Sequence, residues 1–111
     1  MVKLYRGYVI EVIAPAGQGK FKPRPVILLQ NVNKNSDMIA VYCTTQNNGD
    51  DQNNIFVKAD SPEGLEMGIE KDTYIRPNSI LNLSIKSFKR ILGKCPFMAK
   101  ISKIIDDKRA I

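Results

Sequence analysis

Apolar and polar residues alternate in short runs along most of the chain, which is typical of β-strands. Glycine, proline and asparagine are concentrated between these runs, where they favour turns, and residues 60–64 are predicted to form one such turn. The pattern predicts six or seven strands. They cover residues 7–13, 25–30, 38–43, 54–59 and 88–95, with one or two more in residues 72–84, which Pro77 interrupts.

The last part of the chain changes from strand to helical periodicity. Residues 96–107 place four apolar side chains on one face of a predicted helix, namely Phe97, Ile101, Ile104 and Ile105. Pro96 suits the first turn of that helix. We therefore expect a mainly β fold with a C-terminal helix. It would be a small, strongly bent barrel or sandwich of six to seven short strands, built as a single domain over residues 1–111.

Composition adds a charge signal to this fold. Of the 111 residues, 43% are apolar, which is enough for one core. Lysine and arginine outnumber the acidic residues 17 to 11, and the resulting net charge of +6 favours a polyanionic partner such as RNA, DNA or an acidic protein. No apolar run approaches the ~20 residues of a membrane span, and no secretory signal is evident. We therefore expect a cytoplasmic protein.

The residue types that usually bind metals or move protons are scarce. The chain contains no histidine, so the commonest acid/base group and metal ligand is missing. Cys43 and Cys95 lack the spacing of a metal site, and we expect reduced thiols in apolar strands. The sequence predicts no metal site and no cofactor.

A loop rich in glycine, proline and lysine is predicted over residues 14–25. It is not a P-loop, because Ala14 stands at the first glycine position and Phe21 follows the lysine. The dinucleotide-binding fingerprint fails as well, because Lys22 stands where its third glycine should be. At the end of the loop, Arg24 has a proline on either side. It is either a solvated arginine or a guanidinium held on a stiff, extended backbone.

Four stretches together resemble the MazF/PemK/Kid family of toxin endoribonucleases. They are Gly7 at the start of the first strand, KPRPVILLQN at residues 22–31, AVYCTTQ at residues 40–46 and KRILGKCPFMAKISKII at residues 89–105. The resemblance covers about residues 5–106. It implies a CcdB/PemK-type barrel, related in shape to SH3 barrels, that forms a homodimer. It also implies metal-independent cleavage of single-stranded RNA and a cognate antitoxin protein as partner.

The resemblance also assigns site residues. It implies that Arg24 and Thr44 are catalytic, and Thr45 is a secondary candidate for RNA contact. Arginine matches phosphate oxygens at two points and stays charged, and a threonine hydroxyl can donate to a phosphate oxygen. The structural alternative for Thr44 is an ordinary β-branched strand residue.

One segment departs from the family pattern. Where relatives carry an acidic residue, this chain has Pro77-Asn78, preceded by Arg76. We expect Arg76 and Asn78 to contact RNA. However, Asn78 has an amide where relatives have a carboxylate, so the acid/base role of this strand in the family is not assigned to this chain. The RNA sequence that relatives cleave is not assigned to it either.

Other polar and aromatic residues are candidates for RNA binding. Lys20, Phe21 and Lys22 suit a flexible loop that clamps the backbone and stacks a base, or are simply a solvated basic loop. Gln46 and the asparagines at 47 and 48 either form hydrogen bonds with the edges of RNA bases or are ordinary residues of a polar loop. Tyr42 and Tyr74 lie in predicted strands, where tyrosine packs in the core more often than it stacks on a base.

Three functions are consistent with these residues. The leading one is a toxin endoribonuclease that uses attack by the RNA 2′-OH to form a 2′,3′-cyclic phosphate and a 5′-OH. The second is a non-catalytic barrel that acts by protein binding, like the CcdB branch. The third is a passive RNA-binding barrel. The combination of Arg24 and Thr44 favours the enzyme over a pure protein-binding module.

Overall fold

A computed structural model of the chain describes residues 3–33, 37–46 and 52–109. Its elements, in chain order, are strand β1 (Tyr8–Gly17), β2 (Lys20–Leu28), β3 (Met38–Thr44), β4 (Ile55–Val57), helix α1 (Pro62–Met67), β5 (Thr73–Leu83), a 3₁₀ turn (Ile85–Ser87), β6 (Phe88–Lys94) and helix α2 (Met98–Arg109). The described strands form a six-stranded sheet in the order β4-β5-β3-β2-β1-β6 with antiparallel pairing throughout, bent into a half-barrel. The predicted fold of a small β-barrel with a C-terminal helix is confirmed.

Both faces of the bent sheet bury apolar side chains. Val9 and Ile27 belong to a cluster on one face, and Ile10 and Val26 belong to a second cluster on the other. Because successive side chains of a strand point to opposite faces, the continuous apolar run at the end of β2 contributes to both clusters. Helix α2 packs on the first cluster through Ile101, as its apolar stripe predicts.

The segment predicted as a loop over residues 14–25 is instead a long hairpin. Strands β1 and β2 pair from Val9 with Ile27 to Gly17 with Lys20, and only Gln18 and Gly19 form the turn. Both turn residues have positive φ angles, 54° and 73°, which suits the tight two-residue turns that match the twist of a hairpin. Pairing across this turn therefore outweighs the loop-like composition.

The prolines of β2 are accommodated because one edge of the strand is free. Strand β3 pairs with β2 only at residues 26–28. Pro23 and Pro25 therefore need no backbone donor on the β3 side, where none of the described strands pairs with this part of β2. β2 and β3 diverge beyond Val26, and a gap opens between them.

Helix α1 stands where the sequence predicted a turn at residues 60–64. The Ser61 hydroxyl oxygen accepts a hydrogen bond from the Gly64 N–H at 3.0 Å, and Pro62 begins the helix, as is common for an N-terminus. Gly68 ends the helix with a φ of 72°. A Cβ at Gly68 would lie 2.1 Å from the Leu92 carbonyl oxygen, so the end of α1 rests directly against β6.

Strand β5 runs through Pro77 without a break, so the segment forms one strand rather than two. Its register with β3 shifts where Val41 pairs with Ile80 and Tyr42 pairs with Arg76. This β-bulge absorbs the proline. Helix α2 begins at Met98, so Pro96 precedes it rather than forming its first turn.

Cys43 and Cys95 are both buried free thiols, as expected. Among the described helices, none combines the length and the apolar character that crossing a membrane requires.

Candidate active site

A cleft of about 440 Å³ opens where β2 and β3 diverge. β2 and the end of β3 form two of its walls. The segment after α1 forms a third, because the contact of Gly68 with β6 holds that segment in place. The lining residues are Glu11, Lys22, Pro23, Arg24, Pro25, Tyr42, Cys43, Thr44, Thr45, Gln46, Gly68, Ile69, Glu70, Lys71, Thr73, Arg90 and Leu92. Four are cationic and two are carboxylates, so the lining is net positive and suits an anion.

Arg24 lies in β2, and its side chain contacts an aromatic ring of β3. Its guanidinium carbon lies 5.7 Å from the centre of the Tyr42 ring, which is within cation–π range. The Arg24 Nε is buried and has no hydrogen-bond partner among the residues that the structure describes. A buried donor without a partner lowers stability, so it is rare outside functional sites. Arg24 is thus positioned with hydrogen-bonding capacity unused.

Thr44 ends β3 and is 8% exposed. Its Oγ1 accepts a hydrogen bond from the Gln46 backbone N–H at 3.2 Å. Because that bond uses an acceptor site of the hydroxyl, the O–H proton is available to donate elsewhere. Val26 pairs with Tyr42 at the end of the β2–β3 ladder, so Arg24 and Thr44 occupy opposing positions two residues beyond that last pair.

Arg76 and Asn78 lie outside the cleft, on the neighbouring strand β5. Arg76 is directly opposite Tyr42, so the two side chains share a face of the sheet. The Arg76 Nε is also buried without a hydrogen-bond partner in the described part of the chain. Asn78 lies in the bulge between the two registers and is partly buried. Arg76 therefore adds a second cation beside Arg24 and Tyr42.

The remaining predicted RNA-binding residues divide into two groups. Lys22, Thr45 and Gln46 line the cleft together with Arg24 and Thr44. Lys20 and Phe21 do not line it, because they lie near the turn of the β1–β2 hairpin, in a strand rather than in the flexible loop that the sequence predicted. Phe21 is 66% exposed there. The asparagines at positions 47 and 48 lie outside the described residues.

Glu11 and Arg90 belong to the cleft but were not found by sequence reasoning. The Arg90 Nε lies 3.2 Å from Glu11 Oε1, and Nη2 lies 3.4 Å from Oε2, which makes a two-point ion pair between β1 and β6. The hydrogen bond from Arg90 to Glu11 and the attraction between the two charges raise the pKa of Arg90. No local motif connects these residues, because 79 positions separate them in the chain.

Cys43 lines the cleft but is not a candidate nucleophile. Burial, with a smaller effect of nearby Cys95, raises the pKa of the Cys43 thiol far above its ordinary value. The thiol therefore stays protonated, whereas nucleophilic attack requires the thiolate. No group of three or more metal-binding side chains occurs among the described residues.

The chain is similar to a known protein in fold, whereas comparisons of its sequence find no match. No protein-family model matches the sequence, and no curated protein sequence matches it. Among solved structures, the chain is similar to an endoribonuclease in complex with its cognate antitoxin from a mycobacterial species. The TM-score is 0.65 at 20% sequence identity, over 96% of this chain and 95% of that chain. The chain thus has the fold of that endoribonuclease over nearly its whole length.

Proposed function

We propose that this protein is the toxin of a toxin–antitoxin pair and that it acts as an endoribonuclease on single-stranded RNA. The observation that carries the proposal is that Arg24 and Thr44 line one positively charged cleft at the point where β2 and β3 diverge. The similar solved structure, described as an endoribonuclease with its antitoxin, supports the same function at the level of fold.

The proposed reaction uses the nucleophile that RNA carries itself. The 2′-OH attacks the adjacent phosphorus, the bond from phosphorus to the 5′ oxygen breaks, and the products are a 2′,3′-cyclic phosphate and a 5′-OH. Negative charge develops on the phosphate oxygens along this path, and preorganised donors stabilise it. In this mechanism the Arg24 guanidinium donates to those oxygens, and its unpartnered Nε is available for the purpose.

Thr44 has a related role in the proposal. Its acceptor side is bonded to the Gln46 N–H, so its O–H donates to a phosphate oxygen or orients the 2′-OH. Lys22, Thr45 and Gln46 bind neighbouring parts of the RNA along the cleft. Lys20 and Phe21 contact RNA from the hairpin, and Arg76 and Asn78 contact it from β5.

The deciding experiment is to incubate the purified protein with a long single-stranded RNA in EDTA and map the ends of the fragments. We expect cleavage at defined sites, with 5′-OH ends and cyclic phosphates. Arg24→Ala is the control for contaminating nucleases, because it removes the proposed phosphate donor. Intact RNA that is nevertheless bound would indicate a passive RNA-binding barrel. Intact RNA without binding would favour a protein-binding module.

The partners can be tested separately from the chemistry. We expect a homodimer of the 12.5 kDa chain, and light scattering at micromolar concentration measures this directly. A monomer under those conditions would contradict the expectation. We also expect an antitoxin protein to bind the chain and block cleavage.

A further inference from the structure

Phe56 and Tyr74 form an aromatic pair at the β4 edge of the sheet. They are directly opposite each other on β4 and β5, with ring centres 4.9 Å apart and planes inclined at 45°. Phe56 is 48% exposed, whereas its strand neighbours Ile55 and Val57 are buried. The alternation of the strand therefore turns a large aromatic ring outward. Nothing in the proposed cleavage reaction uses this pair.

The aromatic pair continues the face that carries the catalytic candidates. Tyr74 is directly opposite Thr44, and Phe56 is directly opposite Tyr74, so the three side chains share one face across β3, β5 and β4. Two strand spacings, about 10 Å, separate Thr44 from Phe56. Tyr42 lies two residues before Thr44 in β3, so its side chain is on the same face. The Arg24 guanidinium contacts the Tyr42 ring and therefore lies on this face as well. The row thus runs from phosphate-binding groups to exposed aromatic rings.

The charges on this face select the kind of ligand. Arg24 and Arg76 both lie beside Tyr42, and within the described residues neither Nε has a hydrogen-bond partner. Arginine and aromatic residues are also enriched in protein interfaces, so their presence alone does not select the ligand. The two buried Nε donors do, because they need an anionic acceptor. Single-stranded RNA supplies phosphates for such donors together with bases that stack on aromatic side chains.

We propose that Phe56 and Tyr74 form a stacking platform for one base of the RNA strand whose phosphate binds at Arg24 and Thr44. This inference rests on the proposed function and adds a binding subsite to it. Stacking on an aromatic face tolerates any base, because every base has a π face. The platform therefore strengthens binding and holds the strand in line with the cleft, without itself selecting a sequence.

The test measures affinity with an RNA oligonucleotide that carries a 2′-deoxy residue at the mapped cleavage site, so that it binds without being cut. Phe56→Ala should weaken binding about five- to 150-fold, the usual effect of losing one stacked base. Phe56→Tyr should retain the affinity, and Phe56→Leu should lose most of it, since leucine is apolar but has no π face. Leu65→Ala is the matched control, because Leu65 is 71% exposed on α1, outside this row.

A second arm identifies the stacked base. Abasic substitutions are scanned along the oligonucleotide, and one position should weaken binding to the wild-type protein but cause no further loss in Phe56→Ala. Equal losses in both proteins at every position would overturn the platform. So would a Phe56→Leu variant that binds as tightly as wild type, because apolar area alone would then account for the contact.

Failure of the platform can be distinguished from failure of the proposed function. If wild-type protein neither binds nor cuts RNA, the endoribonuclease proposal is wrong and the platform is wrong with it. If wild-type protein cuts RNA and Phe56→Ala binds and cuts equally well, only the platform is wrong. If Phe56→Ala changes the mass measured by light scattering but not RNA affinity, the face is a contact between protein chains instead.

Discussion

The two halves of strand β2 differ in almost every physical respect. Residues 26–28 are fully buried, and Val26 and Ile27 pair with strands on both sides. Residues 20–25 are exposed or partly buried, include two prolines and three cations, and pair with β1 alone among the strands that the structure describes. One continuous strand therefore connects a core segment to a charged arm.

This difference separates stability from function within one element. The buried half removes apolar surface from water, which is the main source of folding free energy. The charged arm adds little to the core, and at Arg24 it even holds a buried donor without a partner. Because the arm is paired with β1, the backbone that carries its cations is already ordered, and binding does not have to order it.

A substitution in the buried half should change the stability of the protein. Ile27 is 0% exposed within the first apolar cluster, so Ile27→Ala should lower the free energy of unfolding by as much as about 5 kcal/mol. A urea denaturation curve measures this, with cleavage assayed below the transition. The activity of the folded fraction should be close to that of wild type. An undiminished unfolding free energy would show that the two halves do not differ as described.

A substitution in the charged arm, residues 20–25, should change the cleavage activity. Arg24→Ala should slow single-turnover cleavage about a hundred- to a thousand-fold, since one preorganised donor to a developing oxyanion is worth ~3–4 kcal/mol. Arg24→Lys should also fail, because lysine keeps the charge but loses the planar two-point geometry. The melting temperature should change little, because the variant loses the contact with the Tyr42 ring but also removes an unpartnered buried donor. Full activity in Arg24→Ala would refute the mechanism.

Variants of Thr44 test whether the end of β3 and the charged arm of β2 act together in cleavage. Thr44→Val removes the hydroxyl but keeps the shape of a nearly buried side chain, so the rate should fall with little loss of stability. We expect a smaller loss than in Arg24→Ala, and Thr44→Ser should restore part of the rate. If both residues stabilise one transition state, the two losses should not add in the double variant. Fully additive losses would indicate separate roles.

The smallest expected effect distinguishes two lysines within the charged arm. Lys22 lines the cleft and Lys20 does not. Lys22→Ala should weaken RNA binding and reduce the slope of log affinity against log salt by about 1, as expected when one phosphate contact is lost. Lys20→Ala should change the slope less. Binding titrations at several salt concentrations check this, and equal slopes in the two variants would contradict the placement of the cleft.

Much of the fold could be predicted from local patterns. The apolar run at residues 38–43 and the helical stripe ending at Ile105 appear in the structure as β3 and α2. Helix α1 was not predicted, although Ser61 and Pro62, which begin it, are residue types typical of a helix start. Such signals depend on residues within one turn or one strand, so they can be seen in a single sequence.

The candidate site was predicted only in part. Arg24 and Thr44 were identified through a family resemblance, and the structure brings them to the same cleft. The hairpin was missed, because composition favoured a loop while cross-strand pairing and the Gln18–Gly19 turn decided otherwise. Propensity is a weak guide where tertiary contacts compete with it.

Local patterns in the sequence specify the positions of most strands, the amphipathic helix, the basic charge and the prolines that flank Arg24. The order of the strands in the sheet, in contrast, follows from tertiary packing. This packing also pairs Glu11 with Arg90, and it aligns Thr44, Tyr74 and Phe56 on one face. The physical reason is that strand pairing joins residues far apart in the chain, and register depends on the packing of the whole sheet rather than on any local pattern.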